Sequence, residues 1–387
     1  MNKRADAKAT LLERARALIP VLAERSAETE RSRRVPTETI AAFHEAGLFR
    51  VLQPARFGGL ELDFDVFANV TKELARGCAS SAWVYAVVEE LFWVLATFPE
   101  EAQQEIWGEN PAALACAAVV PTGKAVKDGN GYRLHGEWHF LSGSDHASWV
   151  FLTAPCDMGG GAREMRNFFL RASEVQFVDD WHVMGLVGTG SKSVKVEGAF
   201  VPVNRSVRYD DIMQGTAPGS QVHPSYAICR APRRYLTAFS ITPVIVGLAN
   251  RALDLMTGTL RDRLRAGSVP DDFEIVQQKV AESAAEVNIV NLIFDTQLQR
   301  NVEALKAGGP ISDADIAHNR LMASYMIRLA KQAIERLCSL SGSRWAFNTH
   351  PMQVILRDML VGVTHRSYNW ESIAREYSRT IGIARRE

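Results

Sequence analysis

The sequence has no uninterrupted apolar run long enough to cross a membrane. Its longest uninterrupted apolar run extends from Ala112 to Val120, whereas a membrane-spanning helix needs about 20 residues. The basic residues of the first segment, MNKRADAKAT, are followed by a charged helical pattern and not by the apolar stretch of a secretory signal. These absences predict a cytoplasmic protein without a membrane segment.

Cysteine is scarce, and neither sign of charge is in excess. The five cysteines of the 387-residue chain are widely separated and form no CxxC pair, which argues against a disulfide framework and against a zinc site. Lys plus Arg and Asp plus Glu both number 44, so the chain lacks the basic surface that nucleic acid binding requires. We therefore expect reduced thiols, no metal and no nucleic acid partner.

Several catalytic motifs are also missing. No GxSxG segment supports serine hydrolase chemistry. The glycine-rich stretch Gly185–Ser191 lacks the order of a phosphate-binding loop and precedes a strand pattern, so it predicts a structural turn or a turn that lines a ligand. His135, Glu137 and His139 share one face of a predicted strand and could hold a metal, but polar residues on an outward strand face are usually solvated.

What the sequence does contain is a three-part pattern of secondary structure. Residues 1–110 have helical periodicity, residues 111–215 contain short strand patterns such as the alternation from Tyr132 to Phe140, and residues 216–387 return to helices. The pattern predicts an N-terminal helical domain, an antiparallel β-domain and a C-terminal four-helix bundle. The predicted bundle helices lie near 236–266, 273–307, 313–341 and 353–380.

Four motifs carry a resemblance to a known family. They are Phe57-Gly58-Gly59, the strand Gly136–Gly143, the glycine-rich bend Trp181–Ser191 with Val201-Pro202 after it, and Leu356-Arg357-Asp358. Together with the three-part order, they resemble the acyl-CoA dehydrogenase superfamily over almost the whole chain. The resemblance implies the fold of that superfamily, which is mainly α-helical with a central β-domain.

Within this superfamily, the chain looks most similar to the two-component flavin monooxygenases. The runs Ser144–Trp149 and Gly188–Ser191 resemble those of the oxygenase components of 4-hydroxyphenylacetate and steroid-phenol hydroxylases. Dehydrogenases carry a glutamate base after the Arg-Asp motif, but counting from Asp358 places Arg366 at that position and His365 before it. A guanidinium stays protonated and cannot abstract a proton, so the resemblance implies an oxygenase rather than a dehydrogenase.

The resemblance further implies a reaction and its partners. A separate NAD(P)H:flavin reductase would supply reduced FMN or reduced FAD, and O2 would add to the flavin to give a C4a-hydroperoxide that hydroxylates a phenolic or indolic substrate. The protein would exclude water from this reaction. Members of the family assemble as homotetramers, that is, as dimers of dimers.

The resemblance also assigns site residues. It places the Ser142 hydroxyl near the flavin N5 and makes His365 the base that activates the substrate. It gives Arg263 to the phosphate end of the flavin, and takes Ser341 and Gly342 from a neighbouring subunit. The remaining predicted flavin contacts are Trp83, Val119, Val120, Pro121, Phe140, Leu141 and Arg366.

Other interpretations stay open from the sequence. The chain could be an acyl-CoA dehydrogenase-like enzyme with a displaced base, an oxygenase acting on nitrogen or sulfur, or a non-catalytic helical assembly protein. Trp83 could be a core aromatic, Ser142 a turn residue and Arg263 a surface residue. Four further aromatic residues predict either a substrate pocket or part of the core, namely Trp93, Phe239, Tyr368 and Trp370.

Overall fold

The computed structural model describes residues 3–269 and 272–383. Its elements follow the predicted order of helices, strands and helices. The N-terminal helices are α1 (Lys3–Arg31), α2 (Thr37–Glu45), α3 (Phe64–Ala75), α4 (Ala79–Ala96) and α5 (Glu100–Gln103). The strands are β1 (Ala115–Ala118), β2 (Lys124–Asp128), β3 (Gly131–Leu141), β4 (Trp149–Gly159), β5 (Ala162–Arg171), β6 (Gln176–Val178), β7 (Lys192–Pro202) and β8 (Ser206–Arg208).

The eight strands form one sheet of mixed direction. The order along the sheet is β6-β7-β3-β2-β4-β5-β8, and β1 pairs with β4. Most pairs are antiparallel, but β4 runs parallel to both β1 and β2, so the prediction of a purely antiparallel domain is wrong. The chain forms the β2–β3 hairpin and then crosses to the other side of β2, which makes β4 parallel to it. Side-chain alternation predicts a strand but not its neighbours.

The helices on both sides of the β-domain share one apolar core. Residues from α3, α4 and the C-terminal helices belong to the same buried cluster, while the β-domain has a second cluster of its own. Helix α4 and the segment Arg233–Arg265 are long and apolar enough to cross a membrane, but most of their residues are buried inside the fold. The predicted domain limits at 110 and 215 stay a prediction, because the two helical regions are packed together.

The C-terminal region contains eight α-helices within the described residues, and three of them have six residues or fewer. They are α6 (Tyr209–Gln214), α7 (Gly219–Val222), α8 (Arg233–Leu236), α9 (Thr242–Arg265), α10 (Phe273–Ala307), α11 (Asp313–Cys338), α12 (Pro351–Gly362) and α13 (Trp370–Thr380). The prediction of one helix over 353–380 is wrong, because the chain leaves the helix after Gly362 and Asn369 caps the next one. The Asn369 side chain accepts a hydrogen bond from the Ser372 amide at 2.9 Å. This break takes His365 off the helix.

Candidate functional site

Strand β3 ends in a bulge that separates two adjacent side chains. Its pairing with β7 shifts register once between Leu134 and His135, continues through Trp138 and resumes only at Leu141. Between them Phe140 has φ +68°, in the left-handed region, and the residue is 66% exposed. Bulges and left-handed non-glycine residues are concentrated at functional sites. The bulge turns Phe140 outward, 6.0 Å from the Trp181 ring centroid, and directs Leu141 into the core of the β-domain.

A chain of buried hydroxyls follows the bulge. Ser142 Oγ lies 2.7 Å from Ser191 Oγ, and Ser191 Oγ lies 2.7 Å from Thr189 Oγ1. Thr189 Oγ1 donates to the Leu186 carbonyl oxygen at 2.8 Å. The backbone is joined here too, since the Gly143 amide donates to the Thr189 carbonyl at 2.8 Å. The end of β3 is therefore fixed to the glycine-rich bend.

The same bend is fixed to helix α12. The Leu186 amide donates to Asp358 Oδ1 at 2.6 Å, and Arg357 Nη1 donates to the Met184 carbonyl at 2.7 Å. Between these two bonds, a Cβ on Gly185 would collide with the Arg357 carbonyl. Burial raises the pKa of Asp358 to about 7. The Arg-Asp motif thus positions the bend of the β-domain against the last helices.

Just beyond α12, His365 lies beside Trp83. The two ring centroids are 6.1 Å apart, and the rings meet edge to face. The Ser367 amide donates to His365 Nδ1 at 3.3 Å, which leaves Nε2 as the nitrogen available to a ligand. Burial, and then the positive charge of Arg366, lower the pKa of His365 to about 4. The imidazole is therefore neutral at physiological pH, with its proton on Nε2 when Nδ1 accepts this bond.

The four buried carboxylates of the described residues each bind at least one other group. Glu73 forms ion pairs with Arg16 and Arg76, and Glu90 pairs with Arg233 at 2.8 Å. The side chain of Glu89 accepts from the Leu52 amide at 2.7 Å, and burial raises its pKa well above the usual range. Asp358 holds Leu186, as described above. Of these four, only Glu89 keeps a buried oxygen without a hydrogen-bond partner, Oε2, and its carboxyl group is bound to the backbone of Val51 and Leu52 and not to the segment that carries His365.

A separate cavity of about 410 Å³ lies between the end of α9 and the start of α12. Arg263, Ser341, Arg344 and His350 line it. The Ser341 Oγ is buried and has no hydrogen-bond partner within the described residues, and buried hydroxyls normally have one. Two guanidinium groups and an unpaired hydroxyl fit a phosphate group, which offers several acceptor oxygens, and the two cations outnumber the one carboxylate of the lining, Asp262.

This cavity is far from Trp83 within one chain. A Cβ on Gly362 would come within 3.5 Å of Trp83 and 2.8 Å of Ile245. Ile245 of α9 therefore lies at the place where Trp83 meets the end of α12. Arg263 lies eighteen residues further along the same helix, a rise of about 27 Å at 1.5 Å per residue. The five-carbon arm between the ring and the first phosphate of a flavin is too short to connect these two places.

The predicted site residues therefore form two groups. Ser142, Trp83 and His365 lie where the bend, α4 and the end of α12 meet, and Arg263 with Ser341 lines the distant cavity. Leu141 is fully buried in the β-domain core, so only its backbone can face a ligand. The remaining predicted contacts are exposed or half-buried, and they are Val119, Val120, Pro121, Phe140, Gly342 and Arg366.

The four additional aromatic residues do not form one pocket. Trp93 and Phe239 are fully buried, and the Trp93 indole donates to the Ile228 carbonyl at 2.8 Å. Trp370 lies under the Arg328 guanidinium, 4.6 Å from its ring centroid. Only Tyr368 is close to the site, with its ring 6.0 Å from that of His365. For Trp93 and Phe239, the core interpretation is correct.

Sequence reasoning missed the partners of Ser142. It recognised Gly188–Ser191 as a motif but gave no role to the hydroxyls of Thr189 and Ser191. It also overlooked Trp181, whose indole donates to the Leu186 carbonyl at 3.2 Å. The available signal was the two hydroxyl residues placed directly before β7, because β7 pairs with the strand that ends at Ser142.

Comparison with known proteins agrees with this geometry. Residues 6–113 match the family model described as acyl-CoA dehydrogenase, N-terminal domain, and residues 239–370 match the model for its C-terminal domain. The oxygenase subunit HsaA of a flavin-dependent monooxygenase from Mycobacterium tuberculosis is 32% identical over 351 residues, covering 90% of this chain and 89% of that protein. The oxygenase component of an FADH2-dependent resorcinol hydroxylase from Rhizobium sp. is 31% identical, with coverages of 89% and 87%.

Solved structures give the same result. The crystal structure of the HsaA monooxygenase from M. tuberculosis superposes with a TM-score of 0.93 at 30% identity, covering 97% of this chain and 100% of that one. A dibenzothiophene monooxygenase from Paenibacillus sp., at 19% identity and a TM-score of 0.81 over 97% of this chain and 98% of that one, shares the fold. The chain belongs to the family of flavin-dependent monooxygenase oxygenase components that are built on the acyl-CoA dehydrogenase fold.

Proposed function

We propose that this protein is the cytoplasmic oxygenase component of a two-component system that hydroxylates an aromatic ring. A separate NAD(P)H:flavin reductase supplies it with reduced FMN or reduced FAD. When bound, the reduced flavin supplies the electrons that activate O2 for transfer of one oxygen atom. The related proteins act on phenolic and indolic compounds according to their names, including resorcinol and indole-3-acetate, so we propose a substrate of this class.

The observation that carries this proposal is the imidazole of His365 beside Trp83, one residue before the position where a dehydrogenase carries its glutamate base. Arg366 follows it and cannot act as a base. The buried carboxylates described above are bound to other groups. The place where His365 and Trp83 meet can therefore bind and orient an aromatic compound. The one buried carboxylate of the described residues with an unpaired oxygen, Glu89, is bound to the Leu52 amide instead.

His365 is best suited to donate a hydrogen bond to a ring oxygen. Its Nδ1 accepts from the Ser367 amide, and its pKa of about 4 makes it a weak proton acceptor at neutral pH. A hydrogen bond from Nε2 stabilises a phenolate oxygen and so lowers the pKa of the bound phenol, which makes the ring more nucleophilic. The phenolic proton then goes to solvent. We favour this role over the base role that the sequence indicates.

Other side chains would hold and shield the flavin. Ser142, at the end of the β3 bulge, would contact the flavin N5, and Trp83 would lie against the ring system. Phe140 and Trp181 form an aromatic edge in front of Ser142 that would exclude water. Arg263 and Ser341 would bind the phosphate, as their cavity suggests.

The distance between the two groups of residues supports a site shared by two subunits. The ring-binding residues and the phosphate-binding residues of one chain are too far apart to hold the same flavin. We therefore propose that Arg263, Ser341 and Gly342 complete the site of a neighbouring subunit in a homotetramer. The exposed aromatic side chains Trp345 and Phe347, close to the same cavity, would be covered at that interface.

The test is a pair of substitutions at one position. The protein is supplied with chemically reduced FMN or FAD and O2, with panels of phenols and indoles, and hydroxylated product and hydrogen peroxide are measured. His365→Gln keeps an N–H near the place of Nε2 but cannot take up a proton, whereas His365→Leu removes both functions. We expect His365→Gln to keep at least a tenth of wild-type product formation and His365→Leu to lose it at least a hundredfold.

The alternatives predict different results. If His365 is a base, both variants lose product formation equally. If the protein is a dehydrogenase, acyl-CoA compounds will reduce its bound oxidised flavin without any reductase. Failure of the wild-type protein to bind either flavin in either redox state would contradict the proposed function as a whole.

A further inference from the structure

The hydroxyl chain behind Ser142 has a fixed direction. A hydroxyl group has one proton and can donate only one hydrogen bond. Thr189 uses its proton on the Leu186 carbonyl, which can only accept. Ser191 must then donate to Thr189, at 2.7 Å, and Ser142 must donate to Ser191, at 2.7 Å. The proton of Ser142 is therefore directed away from the site, into the protein.

The surroundings hold this direction in place. Thr189 and Ser191 are only 2% and 5% exposed, so water does not compete freely for their hydroxyls. The Leu186 carbonyl also accepts from the Thr189 amide at 3.1 Å and the Trp181 indole at 3.2 Å, but the Thr189 hydroxyl bond is the shortest of the three. The Leu186 amide donates to Asp358, and this bond fixes the orientation of Leu186, whose carbonyl is the last acceptor of the hydroxyl chain.

We propose that Thr189 and Ser191 are positioning residues that make Ser142 a hydrogen-bond acceptor and thereby bias the site toward reduced flavin. This inference rests on the proposed function, in which Ser142 contacts the flavin N5. Reduced flavin carries a hydrogen on N5 and donates there, whereas N5 of oxidised flavin is an acceptor. An oxygen whose own proton is already used pairs with the first and repels the second.

The bias serves the reaction that we propose. The oxygenase must capture reduced flavin released by the reductase, in competition with oxidised flavin in the same solution. A single hydrogen bond that forms with one redox state only is worth about a tenfold difference in binding. The hydroxyl chain supplies that difference without any charged group at the site.

The experiment compares two substitutions at Thr189, which lies behind Ser142. Thr189→Val keeps the shape but removes the hydroxyl, so that Ser191 can donate to Ser142 and the Ser142 proton can turn toward the site. Thr189→Ser keeps the hydroxyl. The Leu186 carbonyl retains two other donors in both variants, and therefore we expect both to fold.

The dissociation constants of reduced and oxidised FMN, and of reduced and oxidised FAD, are measured anaerobically for each variant. We expect the ratio of the oxidised to the reduced constant to fall about tenfold in Thr189→Val and to stay near wild type in Thr189→Ser. For a two-electron couple, this corresponds to a midpoint potential of the bound flavin lower by about 30 mV.

An unchanged ratio in Thr189→Val, with Ser142→Ala lowering it, would overturn the role of the hydroxyl chain and leave the proposed function intact. An unchanged ratio in Ser142→Ala would remove Ser142 from N5 and overturn the inference as well. If the wild-type protein binds no flavin, the proposed function itself fails. These outcomes are distinct, because the wild-type titration precedes the comparison of variants.

Discussion

His365 owes its chemistry to its position after the end of α12, where burial and the neighbouring Arg366 disfavour its charged form. A histidine in solution titrates near 6.5 and would be partly protonated at neutral pH. Here the neutral imidazole offers an N–H to the site, and the backbone amide of Ser367 selects which nitrogen carries the proton. The sequence predicts His365 as a site residue but does not give its tautomer, which depends on a fold-specific turn.

The lowered pKa of His365 predicts a pH dependence of stability in the flavin-free protein. Between about pH 6.5 and 4, the unfolded chain binds a proton at His365 that the native state does not, so the native state loses up to about 1.4 kcal/mol per pH unit from this residue. His365→Gln lacks this loss. Urea unfolding at pH 7 and pH 5 should therefore show the variant gaining stability relative to wild type as the pH falls.

The control for this measurement is His135→Gln, at an exposed position of β3. It removes an imidazole from the surface and should follow the wild-type dependence. Parallel curves for wild type and His365→Gln would show that His365 is not held neutral in the native state.

The left-handed conformation of Phe140 predicts an unusual order of stability. At most exposed positions alanine is at least as stable as glycine, but at φ +68° alanine is strained and glycine is not. Phe140→Gly should therefore be more stable than Phe140→Ala by about 1 kcal/mol in thermal or urea unfolding. The reverse order would mean that the bulge relaxes when the ring is removed.

At the scale of elements, the main feature is the joint between the glycine-rich bend and α12. It connects the hydroxyl chain of Ser142 to the helix that leads to His365, through the Asp358 carboxylate and the Leu186 peptide. A carboxyl group in this position does not need its charge, because it only accepts from the Leu186 amide. Its pKa of about 7 means that ionisation of Asp358 destabilises the native state relative to the unfolded chain as the pH rises.

Asp358→Asn should consequently become more stable relative to wild type as the pH rises. Between about pH 4 and 7 the native Asp358 retains a proton that the unfolded chain has lost, so wild-type stability falls with rising pH, by up to about 1.4 kcal/mol per unit from this group. Asparagine keeps the acceptor oxygen and has no such penalty. Unfolding by urea at pH 5 and pH 8 measures the change, and an advantage that does not grow with pH would contradict it.

Local periodicity predicted some elements better than others. Helix α10 has the predicted bounds of 273–307, because glycine and proline follow it directly in the sequence. The break between α12 and α13 was missed, because Tyr368 is buried and its hydroxyl is hydrogen-bonded to Thr242 Oγ1 at 3.1 Å. A buried aromatic residue at this spacing continues a helical pattern even where the backbone leaves the helix. Contacts with α9 determine the break, and a local pattern does not contain them.

At the scale of the whole molecule, the three-part order was predictable from the sequence and the composition of the site was not. Ser142 and Ser191 are far apart along the chain, yet they touch because β3 and β7 are paired. The resemblance of motifs predicts the two ends of the proposed flavin site, at His365 and at Arg263. Only the length of α9 shows that these two ends cannot meet within one subunit.

Mixing two inactive variants tests whether the site is shared between subunits. His365→Leu disrupts the ring site and Arg263→Glu disrupts the phosphate cavity, each on its own subunit. In a symmetric pair containing one subunit of each kind, one site carries both defects and the other carries none. After random exchange of subunits, about one quarter of all sites should therefore be intact and product formation should return to about one quarter of wild type.

The outcome separates the two arrangements clearly. If each flavin were bound within one subunit, every site in the mixture would carry one defect, and mixing would restore nothing. Differently tagged subunits, purified by both tags in sequence, isolate the mixed assemblies and exclude traces of wild type. Exchange of His365→Leu with itself is the control for the handling, and it should remain inactive because no subunit in it has a working imidazole. Because α9 keeps Arg263 away from the flavin ring that its own subunit binds, we expect product formation to return in the mixed sample alone.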